Sequence, residues 1–348
     1  MRKLYILALL VIAPFLGIWI ACSNFTGYAH ALSIPVEKVN VSLYALEESL
    51  NIIESEMNTV KTQAVNQKNQ YEEHDESLSN LTKQADEHKQ LSDQIYEDRI
   101  LTMLGKPIKV YSSSKTEIKV FKLEELGYRG YIAKVKLFNS KAFKVVLAKD
   151  TLGEKETTME AVKRTGALLG INGGGFYTEM RDGKPYMAHI GNVVINGKLI
   201  TPFNGYPGNL CFAGVNKSGR VIGGVLSTEK EFNALNPWQG VSFIPVLIKG
   251  GVSQPIPADW AKTKQPRTIL GEYANGDLIM IVVDGRQADW SSGVTLERLI
   301  DKLVELGVKE AYNLDGGGSS TFIYDGEVLN KPSDGKLRPV VTNIVVMP

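Results

Sequence analysis

The sequence predicts an α+β fold: a single globular domain around a mixed sheet, preceded by a coiled-coil helix and a signal or anchor segment. Three observations predict it. From Ser33 to Leu104 there is no glycine, and apolar residues recur on a 4-3 rhythm. From Gly105 onward the texture changes to short, alternating or β-branched apolar runs parted by turn residues. In that second part only two segments carry clear capped-helix signals, so strands dominate. The expected boundaries are 1–32, 33–104 and 105–348.

The first element is cationic, then apolar. Arg2 and Lys3 precede Leu4–Ala21, a run interrupted by Pro14 and Gly17 and by no charge. That pattern marks a secretion signal or a signal anchor. The run is long enough for a bilayer, which takes roughly 17–25 residues. Ala29-His30-Ala31 resembles a cleavage site but lies well past the run. Trp19-Ile20-Ala21-Cys22 is a poor lipobox, with Trp19 where a leucine-like residue is wanted. A membrane anchor over residues 4–21 is favoured over release near Ala31. Either one implies an extracytoplasmic location.

The second element is a heptad pattern. Val39, Leu43, Leu46, Leu50, Ile53, Met57, Val60 and Ala64 are spaced by 3.5 on average. Gln67, Tyr71, His74, Leu78, Leu81, Ala85 and His88 continue the series. This is a coiled-coil signature, and it implies a homo-oligomer. At 1.5 Å per residue such a helix reaches roughly 100 Å. Gln67, His74 and His88 read as polar seam positions, which set register, and not as metal ligands.

The third element is globular. Glu117–Lys122, Gly130–Leu137 and Ala142–Ala148 read as strands. Thr157–Arg164 reads as a helix opened by a Thr157/Glu160 capping box, feeding a strand at Ala167–Ile171. Asn196-Gly197 marks a hairpin within Asn192–Ile200. Val241–Ile248 and Asp277–Val283 are further strands. Thr295 caps a helix with Leu296, Leu299, Ile300, Leu303 and Val304 on one face, and Gly307 stops it. Ala311–Leu314, Thr321–Tyr324 and Val340–Val346 complete the strands.

Composition narrows the chemistry. Lys+Arg number 39 against 38 Asp+Glu, a net charge of +1, which argues against a nucleic-acid partner held by bulk charge. Cys22 and Cys211 are the two cysteines, too few for a disulfide framework or a Cys-rich zinc site. Of four histidines, only His189 falls in the globular part. No metal site and no cofactor are expected, although a single calcium held by scattered oxygens leaves no sequence signal.

Three glycine-rich strand ends carry the candidate chemistry. The first is Asn172-Gly173-Gly174-Gly175-Phe176, where an amide stands beside glycines that let backbone approach a ligand closely. The second is Val283-Asp284-Gly285-Arg286. The third is Asn313-Leu314-Asp315-Gly316-Gly317-Gly318-Ser319-Ser320. Asn313 and Asp315 alternate on one strand and so share a face. It is neither a phosphate-binding Walker loop nor a G-x-S-x-G elbow.

Pro266-Arg267-Thr268, the Asp284 motif, Leu314-Asp315-Gly316-Gly317-Gly318-Ser319, the Asn172 turn, Pro332-Ser333-Asp334 and Arg338-Pro339-Val340 occur in an order that resembles the phosphodiester glycosidase family. The likeness covers roughly Ala142–Pro348. It implies hydrolysis of sugar-1-phosphodiesters of the N-acetylglucosamine type, in cell-envelope or extracellular phosphoglycans. Some bacterial members carry exopolysaccharide-biosynthesis labels. Glycosidases commonly use two carboxylates, and Asp315 and Asp284 are the expected catalytic pair. Arg267 and Arg286 are expected to clamp the phosphate, since guanidinium matches its oxygens bidentately. Asn172 and Asn313 are expected to hold sugar hydroxyls or orient a carboxylate, His189 to act as an acid or a sugar ligand, Ser319 to bind substrate, and the Gly173–Gly175 and Gly316–Gly318 backbones to line the pocket. Trp238, Trp260 and Trp290 are candidates for stacking on sugar faces, with core packing as the default. Two other readings stand beside this one: a phosphodiesterase that cleaves P–O, and a non-catalytic glycan-binding or exopolysaccharide-assembly module.

Overall fold

The computed structural model describes residues 2–23, 36–205 and 208–348, with side chains described for 12–22, 37, 40–205 and 208–348. The chain falls into two units, Met1–Glu87 and His88–Pro348.

The first unit is helical: α1 (Arg2–Ser23) and most of α2 (Val36–Leu104). The side chains of residues 4–11 and the Ala29-His30-Ala31 segment lie outside the described residues. Among the described residues no helix is long and apolar enough to cross a membrane. The anchor expectation therefore finds no support there. On α2 the heptad residues Leu43, Leu46, Leu50, Ile53, Met57 and Val60 are all exposed in the single chain.

The second unit begins with the last turns of α2. Then follow β1 (Lys109–Ser112), β2 (Thr116–Glu125), β3 (Tyr128–Leu137), β4 (Phe143–Leu147), α3 (Thr158–Thr165), β5 (Leu169–Asn172), β6 (Phe176–Arg181) and β7 (Lys184–His189). Next are β8 (Val194–Ile195), β9 (Lys198–Leu199), β10 (Cys211–Asn216), β11 (Val221–Gly224), α4 (Glu229–Ala234), β12 (Pro237–Phe243), β13 (Val246–Lys249) and β14 (Val252–Ser253). The last are α5 (Ala258–Ala261), β15 (Arg267–Tyr273), β16 (Leu278–Val283), α6 (Leu296–Glu305), β17 (Val308–Leu314), β18 (Phe322–Tyr324), β19 (Glu327–Val328) and β20 (Thr342–Val346).

The α+β class holds, but the single mixed sheet does not. The described strands form an eight-stranded sheet ordered β1-β2-β3-β16-β15-β17-β13-β14, two five-stranded sheets ordered β11-β10-β12-β8-β9 and β19-β18-β5-β20-β4, and the hairpin β6-β7. Every ladder between them is antiparallel. The reason lies in the two helical crossovers. α6 joins β16 to β17 and α3 joins β4 to β5, which run parallel as crossover strands must. In each pair a third strand, β15 or β20, has entered between them and pairs antiparallel with both.

Strand β16 shows why the centre is an unbroken apolar run. Leu278, Met280 and Val282 face the core shared with the smaller sheets, among Phe143, Ile171, Val241 and Ile344. Ile279, Ile281 and Val283 face the other way, onto α6 (Leu296, Leu299, Leu303) and Ile100 of α2. Both faces are covered, so no polar alternation survives. Each fully buried aliphatic side chain contributes about 1.5–3 kcal/mol. The capped helices begin where their residues require: Thr157 accepts from Glu160 N–H in a complete capping box, and Thr295 accepts from Arg298 N–H.

The end of α2 is part of this core. Ile100 is 1% exposed. Tyr96 donates to Gly307 O (3.2 Å) and accepts from Ala274 N–H (3.3 Å). Glu97 pairs with Lys119 at 2.9 Å and with the buried Lys134, which also holds Asp277.

Candidate active site

Antiparallel register puts the chemistry at one end of the large sheet. Arg267 opens β15 opposite Val283 at the end of β16, and Thr268 stands opposite Leu314 at the end of β17. Arg267, Asp284 and Asp315, distant in sequence, thus leave the sheet side by side. Asn172 ties the motifs together. Its Nδ2 donates to Asp315 O (2.6 Å), and its Oδ1 accepts from Thr268 Oγ1 (2.8 Å) and Thr321 N–H (3.2 Å).

A cavity of about 310 Å3 opens at this end. Asp315, Arg267, Arg286 and Arg338 line it, with Gly316 and Gly317 of the third motif. Phe243, Asp259, Trp260, Thr263 and Gln265 complete the wall. The glycines bring the arginines close. A Cβ at Gly316 would stand 2.7 Å from Pro266 O, one at Gly317 3.0 Å from Arg286 Nη2, and one at Gly318 2.0 Å from Arg338 Nη2. At Gly317 φ is +59°, which glycine adopts without cost.

Electrostatics single out Asp315. Burial pushes its carboxyl up to about 6, against the opposing pull of the Ser319 hydroxyl, the Gly316 N–H and the Arg338 charge. The Gly316 N–H donates to its Oδ1 at 2.9 Å. Arg267 is 3% exposed and donates to Thr263 O (2.9 Å). Burial, then the neighbouring Arg286, lowers it to about 10, so it stays cationic at neutral pH. Its guanidinium carbon lies 5.9 Å from the Trp260 ring centroid. Arg286 donates to Gln265 Oε1 (2.7 Å). Neither Arg267 nor Arg286 pairs with a carboxylate among the described residues. Arg338 does, donating to Asp334 Oδ2 through Nε (3.0 Å) and Nη2 (2.7 Å).

Asp284 stands apart from its expected place. It does not line the cavity, and it is 1% exposed. Its Oδ2 accepts from Trp290 Nε1 (2.8 Å) and Lys331 N–H (3.1 Å). Its Oδ1 accepts from Asn330 Nδ2 and Lys331 N–H, both at 2.9 Å. Burial raises its carboxyl, while these donors and the Lys331 charge hold it down. Asp284 fastens the start of the loop that carries Asp334 and Arg338 to the cavity.

The Gly173–Gly175 turn also has another role. Gly173 N–H donates to Thr342 O and Gly175 N–H to Ser242 O. Gly174 N–H donates to Thr342 Oγ1 at 3.0 Å. No amide of the three is left for a ligand, and a Cβ at any of them would meet Thr342, Ser242 or Phe243 within 2.8 Å. Asn313 and Ser319 are buried beside the cavity without lining it. Asn313 Nδ2 donates to Ile244 O (2.5 Å), and Asn313 Oδ1 has no hydrogen-bond partner among the described residues, while the Ser319 hydroxyl acts on the Asp315 carboxylate. His189 lies on β7, 3.2 Å from Thr201 Oγ1, and burial, then Arg181, lowers its pKa. It too lies outside the cavity wall. Among the three tryptophans considered for stacking, only Trp260 reaches the cavity.

Arg338, Asp259 and Gln265 were not expected in the site. Arg338 carried one signal, its place in the closing Arg-Pro-Val motif. Asp259 and Gln265 sit on or beside the short α5, and no spacing rule marks them. Among the described residues no group of three His, Cys, Asp or Glu side chains could hold a metal ion.

A half-buried acid with a raised pKa, ringed by guanidinium groups, defines a site for an anionic ligand beside an acid–base group. The comparisons with known proteins agree with that class. The sequence profile of the phosphodiester glycosidase family matches residues 165–347, more than half of the chain, and the chain belongs to that family. It is 29% identical over 196 residues to the N-acetylglucosamine-1-phosphodiester alpha-N-acetylglucosaminidase of Bos taurus, covering 52% of this chain and 35% of the relative. The Mus musculus enzyme is 31% identical over the same length, with 52% and 36% covered. The chain thus spans about a third of the length of these curated relatives. In structure it is similar to the catalytic domain of the zebrafish enzyme, described as auto-inhibited by its pro-peptide. The TM-score is 0.55 at 25% identity, covering 69% of this chain and 88% of that one.

Proposed function

We propose that this chain hydrolyses sugar-1-phosphodiesters of the N-acetylglucosamine-1-phosphodiester type, in phosphoglycans outside the cytoplasm. The observation that carries the reading is Asp315, with its pKa raised to about 6, in one cavity with Arg267 and Arg286, neither ion-paired to a carboxylate among the described residues. In this reading water bonds to the anomeric carbon as the bond from that carbon to the phosphate oxygen breaks. Asp315 takes the proton of the attacking water. The phosphate monoester leaves with its charge held by Arg267 and Arg286, so its departure needs little protonation; its second pKa is about 6. Asp259, an exposed carboxylate on the cavity wall, takes the place expected of Asp284 as the second carboxylate of the pair. Trp260 offers a face for the sugar ring. Asn172 and Asp284 position the strand end and the Arg338 loop.

The test is incubation with α- and β-linked N-acetylglucosamine-1-phosphodiesters and analysis of the products. Free sugar plus phosphate monoester is expected. No turnover of any of them would leave the non-catalytic glycan-binding reading in its place.

Two further parts of the proposal concern placement and assembly. The Arg2, Lys3 and Leu4–Ala21 pattern supports export. Protease added to intact cells is expected to digest the globular unit, and full protection would reject this. The exposed heptad stripe of α2 supports a homo-oligomer.

A further inference from the structure

A second cavity, of about 540 Å3, shares no lining residue with the first. Lys115, Lys141 and Lys144 line it, and no carboxylate does. Lys115 donates to Pro348 O at 3.2 Å. Lys141 and Lys144 have no ion-paired carboxylate among the described residues. A fourth cation, Lys217, lies 5.9 Å from the ring centroid of Trp238, which also lines the cavity together with Ala142 and Met347.

The Asn196-Gly197 turn covers one side of the aromatic ring. Gly197 N–H donates to Trp238 O at 2.8 Å, and a Cβ at Gly197 would stand 3.1 Å from the ring. The Asn196-Gly197 turn therefore packs directly on Trp238. The buried Gln239 fixes the turn in place: its Nε2 donates to Asn196 Oδ1 (2.9 Å) and its Oε1 accepts from Val145 N–H (3.1 Å). Asn196 and Asn139, which also line the cavity, are exposed, and their Nδ2 groups have no protein acceptor among the described residues.

An indole, unspent amide donors and several ammonium groups without a carboxylate match a saccharide that carries anions. The indole takes the apolar face of a sugar ring, the amides take hydroxyl oxygens, and the ammonium groups take phosphate oxygens. A polyanion without sugar would have no use for the ring and the amides.

We propose that this cavity is a second glycan subsite, which binds a phosphate-bearing saccharide chain apart from the cavity that holds the reacting linkage. The proposal rests on the glycosidase reading for the kind of polymer, and its test reads binding without turnover. The full chain is titrated with a phosphodiester-bearing mannan, the same mannan stripped of phosphate, inorganic polyphosphate, and phosphatidylglycerol vesicles. The wild type is expected to prefer the phosphorylated mannan. The Lys141→Glu/Lys144→Glu double variant is expected to lose at least about tenfold in affinity, a modest figure for two lost charged contacts. Trp238→Phe is expected to bind more weakly than wild type while keeping the fold. All variants should keep wild-type kcat/KM on a small sugar-1-phosphodiester. If no protein hydrolyses anything but the lysine variant still loses mannan binding, the glycosidase reading fails and this proposal stands. It is overturned if the double variant binds the mannan within twofold of wild type, if polyphosphate binds as tightly as the mannan, or if the vesicles bind and the mannan does not.

Discussion

Asp315 and Asp284 are aspartates that follow the ends of two central strands, Asp315 half-buried and Asp284 buried, and their surroundings make them different groups. Asp315 opens on a cavity and is short of donors, so its proton is held up to pH about 6. As a base it must be ionised. The expected kcat/KM therefore falls as pH drops through about 6 and levels off above it, since kcat/KM reports the free enzyme. Asp315→Asn is expected to remove that limb and cost about 10²–10⁴ in rate with the fold intact. A variant keeping more than about a tenth of wild-type kcat, a loss smaller than this range, would reject the assignment. Asp284 is saturated by donors from Trp290, Asn330 and Lys331. In Asp284→Asn the new amide hydrogens face some of those donors. About 1–3 kcal/mol of stability should go, the cost of an unsatisfied buried group. A lowered melting temperature for Asp284→Asn beside an unlowered one for Asp315→Asn, by calorimetry, checks the distinction.

At the scale of elements, two triple-glycine turns that look alike in sequence do different things. Gly173–Gly175 packs backbone on backbone: at Gly174 a Cβ would stand 2.7 Å from Ser242 O, so Gly174→Ala should fail to fold or lose much stability. At Gly318 the obstacles are the mobile ends of Arg338 and Asp334, and those can move. Gly318→Ala is expected to keep its melting temperature while displacing the Arg338 guanidinium, losing about 10–100-fold in kcat/KM through a charged contact of roughly 1.5–3 kcal/mol. Unchanged kinetics would show that Arg338 does not serve the site. Much of this layer was legible in the sequence, because capping boxes, Asn196-Gly197 and the apolar run of β16 are local signals. The insertion of β15 and β20 between crossover strands was not, since pairing is decided by long-range contacts. Nor was the arrival of Arg338 and Asp259 at Asp315, which depends on how a loop and a four-residue helix dock. The hairpin β6-β7 was also missed, although Asp182-Gly183, both with positive φ, marks its turn.

At the scale of the whole molecule, the apolar stripe of α2 is the feature that a single chain leaves unexplained. Leu43 is 57% exposed and Met57 69% exposed, and a second copy of the same helix would cover such a stripe by knobs-into-holes packing. The chain from residue 33 is expected to self-associate by light scattering at tens of micromolar, roughly where such seams pair. A monomer there would reject the coiled coil. The globular unit does not depend on this outcome for its chemistry, since the cavity wall comes entirely from residues 243–338.

In the proposed reaction the bond broken joins the anomeric carbon to oxygen. Hydrolysis of methyl N-acetylglucosamine-1-phosphate in oxygen-18 water, with mass analysis of both products, reads this directly. The expected result is label in the sugar and none in methyl phosphate, with both products absent for Asp315→Asn. Label in the phosphate product would contradict the account and identify a P–O cleaving phosphodiesterase.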